Sequence, residues 1–216
     1  MSARQDICEA MVSLVETGLN RGASGNISVR DGHAMLITPS GVPPRDIRPD
    51  DIASMRLDGD GEWDGRLAPS VEWRFHRDIL RSRPDMNAVV HTHAPYCTIL
   101  AIARKPIPAI HYMIAAFGGP DIRCSDYARY GTAELSATIV KSLEGRAGCL
   151  MANHGMVVGG ATLAKAMWLA NELEALAHQY YHALLIGGGH ILSDEQIKET
   201  AAGFASYGPK AKGDAQ

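Results

Sequence analysis

Apolar residues Ala88, Val89 and Val90 run straight into His91-Thr92-His93, and Pro95 ends the run. If 88–93 is a strand, alternate side chains share a face, so His91 and His93 point the same way. Two imidazoles at the end of a buried strand begin a divalent-metal site, with zinc the usual guest at about 2.0–2.1 Å from each nitrogen. The pair needs a third ligand from elsewhere. Cys149-Leu150-Met151-Ala152-Asn153-His154-Gly155-Met156-Val157-Val158 is a second apolar run with a histidine set into it, and it reads as one strand that delivers His154. Gly155 adds little bulk beside that histidine and leaves room for a bound group. His33, His76, His111, His178, His182 and His190 rank below these three. They fall on predicted helices, beside turns, after a glycine run or without a matched partner.

Three histidine ligands leave at least one metal position open, which marks a catalytic rather than a structural site. A metal held in this way is a Lewis acid for a hydroxyketone and stabilises an enediolate. Glu72 offers a carboxylate for the proton next to that carbonyl. It lies in Pro69-Ser70-Val71-Glu72-Trp73-Arg74-Phe75-His76, where Ser70 is the expected N-cap of a helix whose apolar stripe is Val71, Phe75 and Ile79. Taken alone, Glu72 is simply a favourable charge for a helix first turn. Gly25-Asn26 and Thr38-Pro39-Ser40-Gly41 are short, polar, glycine-containing stretches beside predicted strands. Each is either a turn or one wall of an anion site made of N–H and O–H donors. With Ser70, they would grip a phosphate using no lysine.

These residues need elements to position them. Ile7, Met11, Leu14, Val15 and Leu19 predict an amphipathic helix over 4–19. A strand after Gly25-Asn26 turns at Asp31-Gly32 and returns through 34–37. Residues 50–61 read as a strand and hairpin turn with Asp60-Gly61 at the tip and solvated acidic residues. A short helix is expected over 96–104, and another opens at an N-cap Thr132. A long helix over 161–186 is stopped by Gly187-Gly188-Gly189, and Ser193 to Gln196 is a capping box for a last one. The tail from about 207 is expected to be mobile.

Composition limits the rest. The 216 residues suit one domain spanning 1–216, and 46% hydrophobic residues suffice for a full core. A net charge of −3 gives no footprint for nucleic acid. No apolar run approaches a membrane span, and the start lacks a signal-peptide core. Cys8, Cys97, Cys124 and Cys149 form no CxxC pair and suit reduced thiols in a cytoplasmic protein.

Gly25-Asn26-Ile27-Ser28, Thr38-Pro39-Ser40-Gly41, Ser70-x-Glu72-Trp73, His91-x-His93 and Asn153-His154-Gly155 occur in an order and spacing that resemble the class II aldolase/adducin-head family, most of all its L-fuculose-1-phosphate aldolase branch. His111-Tyr112-Met113 and the Leu-Ser-Asp-Glu near 193 extend the likeness over nearly the whole chain. The resemblance implies an α/β fold with a central, mostly antiparallel sheet flanked by helices, and a homotetramer with active sites between subunits. It implies zinc, or another divalent metal, on His91, His93 and His154, with Glu72 as a further ligand that leaves the metal to move protons. It assigns Gly25, Asn26, Ser40, Gly41 and Ser70 to a phosphate site. It gives Tyr112 the aldehyde oxygen's proton in a neighbouring subunit's site, and places Tyr130 and Tyr207 near the aldehyde end.

The implied reaction is reversible cleavage of a ketose 1-phosphate to dihydroxyacetone phosphate and an aldehyde through a metal-held enediolate. The chain departs from the branch in two places: Val71 stands where a second serine is usual, and Tyr130 where phenylalanine is common. L-Fuculose 1-phosphate and a 5-deoxy- or 5-methylthio-pentulose 1-phosphate are the expected substrates. The alternatives within the fold are a pentulose-5-phosphate 4-epimerase, a sugar-phosphate dehydratase or decarboxylase, and a non-catalytic adducin-like scaffold. The scaffold would have no need of the histidines or Glu72.

Overall fold

The computed structural model describes residues 2–204, and its centre is an eight-stranded sheet. Helix α1 (Ala3–Glu16) precedes strands β1 (Asn26–Asp31), β2 (Ala34–Ile37), β3 (Ala53–Arg56) and β4 (Trp63–Asp64). Helix α2 (Trp73–Ser82), strand β5 (Ala88–Thr92) and helix α3 (Pro95–Ile102) follow. Next come β6 (Ile107–Pro108), a 3-10 turn at Tyr112–Phe117, β7 (Asp121–Ile122), β8 (Cys124–Ser125) and α4 (Ala133–Ser142). Strands β9 (Gly148–Met151) and β10 (Gly155–Gly160), then helices α5 (Leu163–Leu185) and α6 (Asp194–Phe204), complete the described chain.

The sheet order is β4-β3-β2-β1-β5-β10-β9-β8, and β6 and β7 form a separate ribbon. Every pairing is antiparallel except β8 with β9. This is the expected α/β architecture. Ile7, Leu14, Ile27, Val90, Met156 and Leu173 join one face of the sheet to α1, α3 and α5. Phe75, Ile79, Val89, Ile139 and Val157 join the other face to α2 and α4. Because side chains alternate along β5, His91 shares the α2 face with Val89. Across β1 and β5, Asn26 stands opposite His91 and Ser28 opposite Val89, so a polar stripe of Asn26, Ser28 and His91 lies beneath α2.

Several local expectations change in three dimensions. Helix α1 stops at Glu16 because Gly18 adopts a left-handed φ of 77°. Strand β5 ends at Thr92, so His93 lies just beyond the ladder. The run 149–158 is a hairpin rather than one strand, and His154 sits in its turn. Asn153 makes that turn possible with a φ of 55°, a conformation asparagine tolerates. Its N–H donates to Ala101 O at 3.0 Å, and its side-chain oxygen accepts from Arg104 Nε at 3.0 Å.

Helix α2 begins at Trp73, with Glu72 rather than Ser70 at the cap position. Ser70 is tied to the β2 exit instead, its N–H donating to Thr38 O at 2.8 Å beside the Pro39–Pro69 bridge. Asp51 is buried and paired with Arg66 rather than solvated. The helix over α5, its glycine stop, the Thr132 cap and the Ser193–Gln196 capping box are as expected. All four cysteines are free thiols, and among the described residues no helix is long and apolar enough to cross a membrane. The expectation for the tail from 207 falls outside the described residues.

Gly155 is the residue that lets the β9–β10 turn close against β5. A Cβ there would stand 2.4 Å from Thr92 O and 3.0 Å from His93 Cδ2. Gly155→Ala is expected to cost roughly 1–3 kcal/mol, as overpacking does, and to push His93 out of place. Urea unfolding together with metal titration checks this; unchanged stability and metal affinity would contradict the close approach.

Candidate active site

The β5–β10 register and the β9–β10 turn bring three imidazoles together. One ligand nitrogen from each of His91, His93 and His154 lies within 4.8 Å of the others. The ring centroids are 5.0 Å apart for His91 and His93, 4.8 Å for His91 and His154, and 5.0 Å for His93 and His154. His91 Nδ1 is 2.9 Å from Met156 O and donates its proton there, since the carbonyl can only accept. That bond fixes the tautomer and turns the Nε2 lone pair inward. Burial and the neighbouring imidazoles hold His91 well below the usual histidine range. His93 is lowered by burial and then by His154, and His154 by burial against an opposing pull from Glu72. The cluster is therefore three neutral donors.

Glu72 lies among them. Its Oε2 is 3.4 Å from His91 Nε2 and its Oε1 is 3.3 Å from His154 Nε2. Both Glu72 Oε1 and His91 Nε2 are buried without a hydrogen-bond partner. A carboxylate facing imidazole lone pairs in a dry site is unfavourable unless a cation lies between them. These residues fit a divalent metal. The donor set of three imidazole nitrogens and one carboxylate suits zinc.

The other carboxylate oxygen is held. Asn26 Nδ2 donates to Glu72 Oε2 at 3.0 Å and to Ser70 Oγ at 3.0 Å. Ser70 Oγ also accepts from Glu72 N at 3.3 Å, so it closes the turn into α2. Ser40 Oγ accepts from Val71 N at 3.1 Å. Asn26, Ser70 and Ser40 thus converge on the turn that carries Glu72. Thr38, by contrast, is fully buried with its hydroxyl accepting from Ile27 N, and it faces the fold rather than a ligand. Gly25 and Gly41 both have left-handed φ, 80° and 73°. Gly41 has open space where a Cβ would be, whereas a Cβ at Gly25 would collide with the Asn20 amide.

Two contributors escaped the sequence reading. Asn20 Oδ1 accepts from His93 N at 3.3 Å, tying the segment before β1 to the histidine cluster. His76, one helical turn beyond Glu72, contacts Asn26 and Ser28 from above the sheet. The i, i+4 spacing from Glu72 to His76 was the available signal, because such residues share a helix face.

The tyrosines lie elsewhere. Tyr112 is half exposed at the start of its 3-10 turn, with its ring 6.3 Å from Phe204. It lines a cavity of about 1010 Å³ with Lys165, Trp168 and Phe204 that includes none of the three histidines. Tyr130 is exposed, with the Arg129 guanidinium 5.8 Å over its ring. Its neighbour Gly131 backs onto Val71: a Cβ there would lie 2.9 Å from Val71 O. The two departures from the family pattern, Val71 and Tyr130, therefore occupy adjoining segments. Tyr207 lies outside the described residues.

Comparison with known proteins bears on this arrangement. The family model for the class II aldolase and adducin N-terminal domain matches residues 5–181. The chain belongs to the class II aldolase and adducin family. A 5-methylthioribulose-1-phosphate/5-deoxyribulose-1-phosphate aldolase from Rhodospirillum rubrum is 48% identical over 212 residues, covering 98% of this chain and 95% of the relative. An L-fuculose phosphate aldolase from Escherichia coli O6:H1 is 45% identical over 207 residues, covering 95% of each chain. A solved L-fuculose 1-phosphate aldolase superposes with a TM-score of 0.90 at 39% identity, covering 95% of this chain and 98% of that one. The chain is a class II aldolase, hence a lyase of carbohydrate metabolism. The aldolases of this class depend on a metal, and the three-histidine cluster is where one would bind.

Acid should expose the neutral cluster. Burial, with a smaller contribution from His91, pushes His76 down to about 3. A folded value below the unfolded value of 6.5 means the unfolded chain binds more protons between the two. The stabilisation is complete above pH 6.5 and is lost as pH falls toward 3. From pH 7.5 to 5.5, His76 alone is expected to remove about 1.4 kcal/mol, and the lowered His91, His93 and His154 act in the same direction. Urea unfolding of metal-free protein at the two pH values checks this. Equal stability would show that these imidazoles are not kept neutral.

Proposed function

We propose that the protein is a zinc-dependent aldolase that reversibly cleaves a ketose 1-phosphate to dihydroxyacetone phosphate and an aldehyde. The observation that carries this reading is a buried Glu72 carboxylate set between neutral imidazole nitrogens, with one oxygen held by Asn26 and the other without a donor. His91, His93, His154 and Glu72 would hold the metal, which supplies a Lewis acid for the charge that develops on the ketose oxygens.

The protein's own groups do the rest. Asn26, Ser40, Ser70 and the N–H groups near Gly25 and Gly41 hold the phosphate through hydrogen bonds. In the cleavage direction the C4 hydroxyl loses its proton and the C3–C4 bond breaks. The electron pair stays on the dihydroxyacetone phosphate side as an enediolate, and the aldehyde departs. Glu72, released from its resting position, delivers a proton to C3. Tyr112 handles the aldehyde oxygen's proton. Tyr112 lines a cavity that includes none of the three histidines, which fits the role the family resemblance implies for it, at the site of a neighbouring subunit in a homotetramer. Tyr130 and Tyr207 flank the aldehyde end. The whole reaction takes place in the cytoplasm.

A 5-deoxy- or 5-methylthio-pentulose 1-phosphate is placed first among substrates, with L-fuculose 1-phosphate second. The 48% identical relative carries the former activity in its name and the 45% identical relative the latter. Val71 is 54% exposed, and only its N–H is engaged, by Ser40. It therefore leaves the phosphate grip one hydroxyl short of the family pattern.

Purified protein with Zn²⁺ is expected to release dihydroxyacetone phosphate from a panel of these ketose 1-phosphates, and a chelator should abolish the release. Bound zinc with no release from any of them would overturn the aldolase reading. Glu72→Gln should slow hydrogen exchange at C3 of dihydroxyacetone phosphate by two orders of magnitude or more; exchange at the wild-type rate would remove Glu72 from proton transfer. Val71→Ser adds a donor to a charged oxygen, worth roughly 1.5–3 kcal/mol, so KM for the ketose phosphate should fall at least about tenfold. An unchanged KM would place Val71 outside the phosphate grip.

A further inference from the structure

The geometry points to His76 as the positioning residue that anchors the Asn26 amide oxygen, and through it holds the amide's N–H donors on Oε2 of Glu72. The inference rests on the reading of Glu72 as the proton-moving group and adds to it the device that holds that group in register.

A continuous buried chain of polar groups runs beneath α2. Ser28 Oγ is 2.8 Å from His76 Nδ1, and His76 Nε2 is 2.5 Å from Asn26 Oδ1. Asn26 Nδ2 then reaches Glu72 Oε2 and Ser70 Oγ, each at 3.0 Å. Ser28 and His76 are fully buried, and Asn26, Ser70 and Glu72 are 4%, 2% and 7% exposed. Phe75 stacks on the His76 ring at 4.6 Å and holds its plane.

Only one assignment of protons satisfies every member. Asn26 Oδ1 accepts only, so the proton in its contact with His76 belongs to Nε2. Burial keeps the ring neutral, so Nδ1 carries none and accepts from the Ser28 hydroxyl. The Asn26 amide group then faces the carboxylate with its N–H donors. Reverse the tautomer and the chain must reverse with it. Nε2 would take a proton from the Asn26 amide, Nδ1 would donate to Ser28, and Asn26 Oδ1 would face a carboxylate oxygen at 3.0 Å. Two acceptors at that distance in a buried site repel strongly. The hydroxyl of Ser28 tolerates either arrangement, so the carboxylate selects the orientation of the amide, and the Nε2 proton of His76 holds it there.

His76 touches no metal ligand in these hydrogen bonds. Its effect passes through Asn26. With the amide fixed, Oε2 is anchored and Oε1 is the oxygen available to turn toward the metal or toward substrate carbon. Without it, Asn26 Oδ1 is buried with no donor, and the hold of the amide on the carboxylate loosens.

The test uses metal-free and zinc-loaded full-length protein. In nitrogen-15 histidine spectra of the metal-free protein, the resonance that disappears in His76→Gln should show a neutral ring with its proton on Nε2 at pH 7. A proton on Nδ1 would overturn the assignment, and this readout needs no activity. In the zinc-loaded enzyme, His76→Gln keeps an N–H donor for Asn26 Oδ1, and kcat should stay within about threefold of wild type. His76→Leu removes the donor, and kcat should fall about tenfold or more with bound zinc within twofold. Equal losses in the two variants, or a loss confined to KM or to bound zinc, would reduce His76 to a packing residue. If wild-type protein cleaves no ketose phosphate, the proposed reaction fails while the spectrum still decides the orientation of Asn26.

Discussion

A buried carboxylate must be balanced, and the active-site end of this fold is arranged around that requirement. Glu72 is nearly inaccessible to solvent, one of its oxygens has a single side-chain donor and the other has none. Beside the carboxylate stand imidazole nitrogens that the same burial keeps neutral. Ionised carboxylates are stable in such surroundings only beside a cation. Metal affinity and folding are consequently linked: an ion that binds the folded cluster and not the open chain stabilises the fold by mass action.

The rigid part of the site comes from the middle of the sheet. Strands β1, β5 and β10 are neighbours, and their register sets Asn26 opposite His91 and Val157 on the other side of His91. Helices cover both faces, so β5 and β10 are buried throughout and β1 is buried at its Asn26 end, where side chains have little freedom. The candidate metal-binding and proton-transfer groups are carried at element ends. His93 follows the last residue of β5, His154 lies in the β9–β10 turn, and Glu72 caps α2. A stiff centre with functional groups at its termini is how a fold holds geometry while one group still moves.

On the proposed reading, selectivity is separated from this centre. Val71 and the loop bearing Tyr130 adjoin each other at the surface, and Tyr112 opens onto a different cavity. On the proposed reading, the metal and phosphate ends of the ketose meet groups from one chain, and the aldehyde end meets groups from a second. Relatives that share the first set can then differ in aldehyde by changing the second.

Much of this was legible without coordinates. The His-x-His pair, the second histidine run, Glu72 and the paired glycine-containing stretches are local patterns, and their chemistry follows from residue type and spacing. Hydrophobic periodicity located the long helices, because a buried face repeats along the chain. What remained hidden was non-local. The turn at Asn153, the late start of α2 and the burial of Asp51 each depend on a partner far along the chain: Ala101, Thr38 and Arg66. His76 looked like an ordinary helix residue, because only the packing of α2 on β1 places it against Asn26 and Ser28. The sequence by itself determined which groups could perform the chemistry. The tertiary structure decided how they are oriented, since a hydrogen bond between distant residues depends on where the backbone carries them and leaves no periodic trace along the chain.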